Sequence, residues 1–417
     1  MTIHLNKVDP ITFQVLQNKL RAIVSEQSIA IKRVSGPVVV TEANDFNNGI
    51  YLSNGTAVAV GQQIVSHSQA IPIMVESIIE DCTENPGINE GDMFFVNDPW
   101  KGALHQSDTG VIAPLFYKGK LMAWSGTVLH QLDIGGMEPG SWCPRATDKF
   151  QEGMAIPPIK LVDVGTVRRD IWNMLLAHSR LPFLLGLDLK AQIAGNNVSN
   201  KRLIELFERY GVDTVMAVME GLIEETEQAL RRRLVQLPDG VYRGVDYLDH
   251  DGHENKLYKI QVAVTKDADT LTFDFTGSSP QAPGFVNCTI VGLFGGIASA
   301  LFPLLAYDIS RNGGLFRPVK VIAPEGIVCN AKPPAPVSSA SVAASGVVRN
   351  VCEAALARML ACNERELRES KALSKGYSTI LNLGGVSQYG EPFGTMLLEN
   401  MISGEGAYSF RDGWSAV

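Results

Sequence analysis

Apolar residues recur at helical spacing behind Asp9-Pro10, where Ile11, Val15, Leu16, Leu20, Ile23 and Val24 form one stripe running to about Arg33. Asp as N-cap with Pro in the first turn opens this helix, and Gly36-Pro37 closes it. Short apolar runs then predict strands over Val38 to Thr41, Gly49 to Leu52 and Ala57 to Val60, the last two joined by the hairpin signal Ser-Asn-Gly. A second helix is predicted over Ser68 to Asp81, a turn at Asn85-Pro86-Gly87 and a strand over Met93 to Asn97. Val111 to Phe116 and Leu121 to Val128 flank the polar loop Tyr-Lys-Gly-Lys and read as a β-hairpin.

The pattern then changes period. Gln151 to Lys160 reads as a loop and extended segment leading to helices over Thr166 to Ser179, Leu187 to Asn196, Ser199 to Tyr210 and Val212 to Leu237. Past Pro238-Asp239-Gly240 the alternation becomes strand-like over Val241 to Leu248, Lys256 to Thr265 and Thr270 to Phe275, an antiparallel meander. An apolar helix from Gly292, a strand over Val319 to Ala323, a Pro-rich segment over Lys332 to Pro336 and a helix over Ser339 to Ala361 follow. The expected fold is α+β: a mixed multi-layer architecture with a β-hairpin-centred metal site, a helical middle section and the meander. It divides into an N-terminal region, 1–237, and a second region, 238–417. The longest apolar run, Ile290 to Ala306, contains Gly292, Gly295, Gly296, Ser299 and Pro303 and is short for a membrane span, so it reads as a buried, close-packed helix.

Chemistry concentrates around the central hairpin. His-x-x-Asp occurs twice, as His105 with Asp108 and His130 with Asp133, one copy on each side of it. A turn centred between Lys118 and Gly119 places His130 opposite Ser107 and beside Asp108; a turn centred on Gly119 places it opposite Asp108. Either register brings strand end back to strand start, where opposed Cβ atoms lie roughly 5 Å apart. His105, Asp108 and His130 therefore converge as candidate ligands, with Asp98 and Asp133 in reach as a fourth ligand or as supports for a ligand imidazole. Two imidazoles and a carboxylate suit Zn, Mn or Fe better than calcium or magnesium, which prefer oxygen-only sites. Asp as a turn former would explain one His-x-x-Asp; two copies beside Asp98 favour a metal. His67 reads as a hydrogen-bonded core or loop histidine ahead of a supporting role, His178 as a helix C-terminal cap, and His250 and His253 as turn residues around Asp251-Gly252.

Composition narrows the alternatives. A net charge of −8, with no basic run longer than Arg231-Arg232-Arg233, argues against nucleic-acid binding. The six cysteines are scattered without C-x-x-C, which suits reduced thiols in a cytoplasmic protein. MTIHLNKVDPITF carries no basic stretch followed by an apolar one, so no signal peptide is read. G-x-S-x-G, G-x-x-x-x-G-K-[ST] and G-x-G-x-x-G are absent, so any nucleotide chemistry is expected on another chain.

DPITFQVLQNKL, NDPWKGALHQSD, HQLDIGG, QEGMAIPPIK, DFTGSSPQAPGFVN and NGGLFRPVKVIAPEG, in this order over nearly the whole chain, resemble the hydantoinase B/oxoprolinase family. This class provides the B-type subunit of ATP-dependent N-methylhydantoinases, 5-oxoprolinases, caprolactamase and the acetone and acetophenone carboxylases. The resemblance implies a hydantoinase A-type, actin-like ATPase partner that binds ATP and phosphorylates a cyclic amide or the enolate of a ketone. The B-type subunit then completes the reaction with a metal, whose ligands map to His105, Asp108 and His130. An ATP-dependent cyclic amide hydrolase is the expected activity and a ketone carboxylase the runner-up. The same ligands also fit a non-haem iron oxygenase, against which the flanking NDP and DIGG motifs argue. A non-catalytic structural subunit is the outcome if no metal binds. GALHQSD stands where many hydrolase members have a G-G-T-H-L-P-D type sequence, and Leu129 stands where many have a second adjacent histidine. Family members also run past Gly-Trp-Ser-Ala-Val, so a chain truncated at the C-terminus is expected.

Overall fold

The computed structural model describes residues 8–373, 380–397 and 406–414. Residues 1–7, part of the stretch read for a signal peptide, and Ser415 to Val417 of the terminal segment lie outside them. The architecture is α+β, with eight α-helices and two main sheets among the described residues.

Helix α1 (Pro10–Val34) starts as expected, the Asp9 carboxylate accepting from the backbone N–H of Ile11 and Thr12. The strand expected over Val38 to Thr41 is instead one helical turn, α2 (Val38–Thr41), closed by Val40 N–H and Thr41 N–H on Pro37 O. Neighbours in a strand face opposite sides. The turn lets the adjacent Val39 and Val40 both bury in one cluster with Ile31, Phe46 and Leu129, and that burial overrides β-branched propensity.

The first sheet is antiparallel throughout and combines β1 (Phe46–Leu52), β2 (Ala57–Val60), β3 (Met93–Val96), β4 (Asp108–Tyr117), β5 (Lys120–His130), β6 (Ile159–Asp163) and β7 (Thr166–Val167) in the order β2-β1-β5-β4-β3-β6-β7. Helix α3 (Ala70–Cys82) packs Ile71, Met74 and Ile78 on the face that carries Tyr51, Ile112 and Trp124. The opposite face, with Ile50, Leu115 and Ala123, receives α1, α5 (Pro182–Tyr210) and α6 (Val212–Leu234). Glycines admit α3 to the two central strands: a Cβ on Gly126 would stand 2.4 Å from Ile71 Cγ2, and one on Gly110 2.3 Å from Met74 Sδ.

Two helices expected over Leu187 to Asn196 and Ser199 to Tyr210 are one. The polar stretch that suggests a break faces the sheet: Gln192 Nε2 donates to Thr109 O, Asn196 Nδ2 to Val111 O, and Ser125 and Ser199 share a hydrogen bond between hydroxyls. Each such group left unpaired in this buried layer would cost about 1–3 kcal/mol, so the bonds carry the helix through. The helix expected from Thr166 starts later, as α4 (Arg169–Ala177), because Thr166 and Val167 pair with β6 as an edge strand.

The second sheet has the order β11-β10-β9-β8, from β8 (Gly240–His250), β9 (Asn255–Asp267), β10 (Thr270–Asp274) and β11 (Val319–Ile322). The first three form the expected meander; β11 joins β10 in parallel, after a crossover through α7 (Ile290–Leu305). Its core lies between this sheet, α7 and α8 (Ala344–Ala361). Helix α8 begins past the expected Ser339, whose N–H and hydroxyl are both engaged by Phe285 O. A hairpin of β12 (Leu381–Val386) and β13 (Pro392–Leu397) has no counterpart in the sequence pattern. No helix among the described residues is long and apolar enough to cross a membrane.

Candidate metal centre

The central hairpin turns through Lys118 and Gly119, both at positive φ, with Tyr117 paired to Lys120. This is the two-residue turn whose twist matches the strands. A register shift between Leu115 and Phe116 then moves the remaining pairs by one, so Asp108, the first residue of β4, stands directly opposite His130, the last of β5. Without that shift the partner of His130 would be Ser107.

His105 arrives from the loop between β3 and β4, folded back by a bond from Asp108 N–H to His105 O. Asn97 pins this loop: its side chain donates to Gln106 O and Met154 O and accepts from Ile156 N–H. Glu152 braces it from the far side, accepting from Gln106 Nε2 at 3.2 Å and from the N–H groups of Val337 and Ser338, both at 2.7 Å. Burial pushes the Glu152 carboxyl up to about 7 against those three donors.

His105 Nε2 lies 3.4 Å and His130 Nδ1 3.1 Å from Asp108 Oδ1. All three side chains are buried, and their ligand atoms lie within 4.8 Å of one another. Ligands at about 2.0–2.1 Å around a tetrahedral ion are about 3.3 Å apart, close to the 3.4 and 3.1 Å from Asp108 Oδ1 to the two nitrogens. Burial opposes ionisation of Asp108, but the charges of His105 and His67 and hydrogen bonds from His105 and His130 hold its carboxyl well below the usual range. Burial also disfavours a charged His130, but its bond to Asp108 and the charges of Asp45, Asp108 and Asp188 raise it above the ordinary value.

The outer bonds of His130 test the fit. Ser141 donates its hydroxyl proton to Gln131 O, so its oxygen accepts from His130 Nε2–H at 2.7 Å. Nδ1 then faces a carboxylate oxygen with a lone pair unless a proton or a cation lies between. Two buried imidazole nitrogens and a carboxylate oxygen closed on one point, with the tautomer of His130 fixed from behind, are the chemistry of a metal site. The group His105, Asp108 and His130 can thus hold a metal ion.

Asp98 and Asp133 make no hydrogen bond or ion pair with these imidazoles among the described residues. Asp133 accepts from Gly135 N–H, Gly140 N–H, Arg180 N–H and Arg180 Nη1. Asp98 accepts from Trp100 N–H and lies 3.8 Å from Lys149 Nζ. Leu129 points into the apolar cluster with Ile31 and Phe46, away from His130. His178 caps α4, its Nδ1 bonded to Met174 O. Ser141 and Glu152 escape sequence reasoning because no spacing rule marks a lone Ser or Glu in a loop. His67 is buried with Nε2 3.3 Å from Asp108 Oδ2; 41 residues separate the two, so its sequence context reads only as that of a core histidine.

The fold and this buried site define a known class. A model of the hydantoinase B/oxoprolinase family matches residues 9–417, and the chain belongs to that family. Among its relatives it is 35% identical to the B-type component of the putative D-/L-hydantoinase of Pseudomonas sp. (strain NS671), over 80% of this chain and 58% of the relative. It is 32% identical to the beta chain of the caprolactamase of Pseudomonas jessenii, over 99% of this chain and 70% of the relative. The chain thus spans little more than half the length of the first. The crystal structure of the ATP-dependent caprolactamase from Pseudomonas jessenii superimposes with a TM-score of 0.88 at 30% identity, covering 99% of this chain and 70% of that one. A nucleotide-free acetone carboxylase structure shares the fold, with a TM-score of 0.93 at 24% identity over 99% of this chain and 56% of that one. Relatives named as subunits are parts of multi-subunit enzymes.

Proposed function

We propose that this chain is the metal-dependent subunit of an ATP-dependent cyclic amide hydrolase of the hydantoinase/oxoprolinase type. In this reading it completes hydrolysis of a substrate that a hydantoinase A-type, actin-like ATPase subunit has phosphorylated with its own ATP. The observation that carries it is the buried convergence of His105, Asp108 and His130 in a chain 35% and 32% identical to components of a hydantoinase and a caprolactamase. Zn, Mn or Fe suits two imidazoles and one carboxylate. When bound, such an ion supplies Lewis-acid polarisation of a carbonyl and activates water near neutral pH.

This chain's residues supply the setting. Asp108 and the two imidazoles would hold the ion at a strand end, and Ser141 keeps the His130 lone pair inward. Asp133 acts as a positioning carboxylate: it holds Gly140 N–H, and the next residue, Ser141, accepts from His130. Asp98 folds the turn that leads into His105, its backbone carbonyl accepting from Lys101 N–H and Ala103 N–H. The division at Leu237 belongs to the same proposal, supported by a second core whose fully buried residues come from Leu230 onward. A cytoplasmic location is supported by six free cysteines.

The test is the chain co-expressed with its ATPase partner, assayed for ATP-coupled opening of hydantoins, 5-oxoproline and caprolactam, before and after chelation. Ring opening that needs both ATP and metal supports the hydrolase. ATP turnover on ketones that requires bicarbonate would establish the carboxylase instead, the reading kept open by 27% identity to an acetophenone carboxylase delta subunit.

A further inference from the structure

Asp108 has two carboxylate oxygens, and they are used differently. Oδ1 faces His105 Nε2 and His130 Nδ1, the two nitrogens that converge with it on one point. Oδ2 faces His67 Nε2 at 3.3 Å. His67 does not join the converging group; it approaches only the carboxylate. Its side chain is buried, and its Nδ1 has no hydrogen-bond partner.

These facts place a proton on Nε2, whether the ring is neutral or charged. A carboxylate oxygen can only accept, so the bond to Oδ2 requires a proton on His67 Nε2. The opposite tautomer would set a lone pair against Oδ2 and leave a buried N–H unpaired at Nδ1, which is the costlier group to strand. We propose that His67 is a positioning residue of the metal centre: its Nε2–H donates to Asp108 Oδ2, locks the plane of the carboxylate and leaves Oδ1 alone to meet the ion. This rests on the metal reading above and extends it to a residue delivered from outside the hairpin. His67 sits on the 3₁₀ turn Val65–Gln69 that precedes α3, and that turn is pressed against α7, where a Cβ on Gly295 would stand 2.7 Å from Ser66 O. Helix α7 thereby packs against the turn that carries His67.

The test compares wild type, His67→Phe and His67→Gln, the last returning an amide donor near the position of Nε2. Zinc affinity is read by chelator competition, and the number of coordinating imidazoles by X-ray absorption on the zinc-loaded chain. A supporting bond to a metal ligand is worth about 10–100-fold in affinity. The expected result is that His67→Phe weakens zinc by that factor, His67→Gln recovers most of it, and the imidazole count is two in every loaded form. Wild-type affinity in His67→Phe overturns the proposal, as does weakening that Gln does not repair. A count of three imidazoles falling to two on substitution also overturns it, by making His67 a ligand. If His67→Phe does not fold, His67→Leu, which also lacks a donor, takes its place in the comparison. If the wild type takes up no metal, the metal reading falls by itself. The ¹⁵N shifts of the metal-free imidazoles, with His67 assigned by its loss in His67→Gln, then decide the bond: a proton on Nε2 supports it and a proton on Nδ1 overturns it.

Discussion

Asp108 and His130 are a directly opposed cross-strand pair whose functional atoms, Oδ1 and Nδ1, lie 3.1 Å apart. Strand pairing brings them opposite one another, and His105 is added by a loop bond within the i, i+3 spacing. Removing either imidazole leaves too few donors for a two-His, one-carboxylate site. His105→Ala and His130→Ala are each expected to lose stoichiometric metal and to lower kcat/KM of the ATPase-coupled complex by more than the roughly 100-fold upper range of a supporting residue. Elemental analysis alongside turnover checks this; retention of metal and rate by either variant would move the chemistry elsewhere.

Buried Glu152 makes stability depend on pH with a definite sign. Its carboxyl is raised from 4.5 to about 7 by burial, which outweighs the N–H donors of Val337, Ser338 and Gln106. The folded chain therefore binds the proton more tightly than the unfolded chain does. Its contribution is full below pH 4.5 and is lost as pH rises through about 7, a change of roughly 3 kcal/mol at 1.36 kcal/mol per unit. Asp188, also raised to about 7 by burial, slopes the same way. Urea unfolding of the chelated protein at pH 5 and pH 8 should show wild type losing more stability across that interval than Glu152→Gln. Equal losses in the two proteins would show that the three donors, not burial, dominate.

Much of this site is legible in the sequence because the short polar loop Tyr-Lys-Gly-Lys and strand polarity leave two registers, and both bring His105, Asp108 and His130 together. The choice between them is not legible: it depends on the shift between Leu115 and Phe116, which no residue type announces. His67 and Ser141 escape for a related reason. Each reaches the site through packing of another element or an irregular loop, and neither sits in a periodic pattern. Helix α5 reads as two because Gln192, Asn196 and Ser199 look solvated, whereas they satisfy groups of the sheet beneath. Val38 to Thr41 reads as a strand, but its β propensity yields to the joint burial of Val39 and Val40.

The close approach of α3 to the sheet predicts a stability defect away from the chemistry. Gly126→Ala would put Cβ 2.4 Å from Ile71 Cγ2, an overpacking that costs about 1–3 kcal/mol. Ile71→Ala removes the clashing Cγ2, so the double variant should fall by less than the sum of the two single losses. Denaturant midpoints of the four proteins measure this; strictly additive losses would mean the helix shifts freely to make room.

Ser141 is predicted to act on metal affinity as well as on stability. Its oxygen accepts from His130 Nε2–H at 2.7 Å because its own proton is committed to Gln131 O, so the imidazole is held with Nδ1 toward Asp108. Ser141→Ala removes that acceptor while leaving all three candidate ligands in place. An imidazole then free to take the other tautomer spends part of its time with a proton where the ion should bind. The expected cost is about tenfold in zinc affinity, against about 1 kcal/mol in the stability of the metal-free chain. Chelator competition and urea unfolding on the same preparation separate the two. A variant that binds zinc as tightly as wild type would show that strand pairing, without the bond behind it, is sufficient to orient His130.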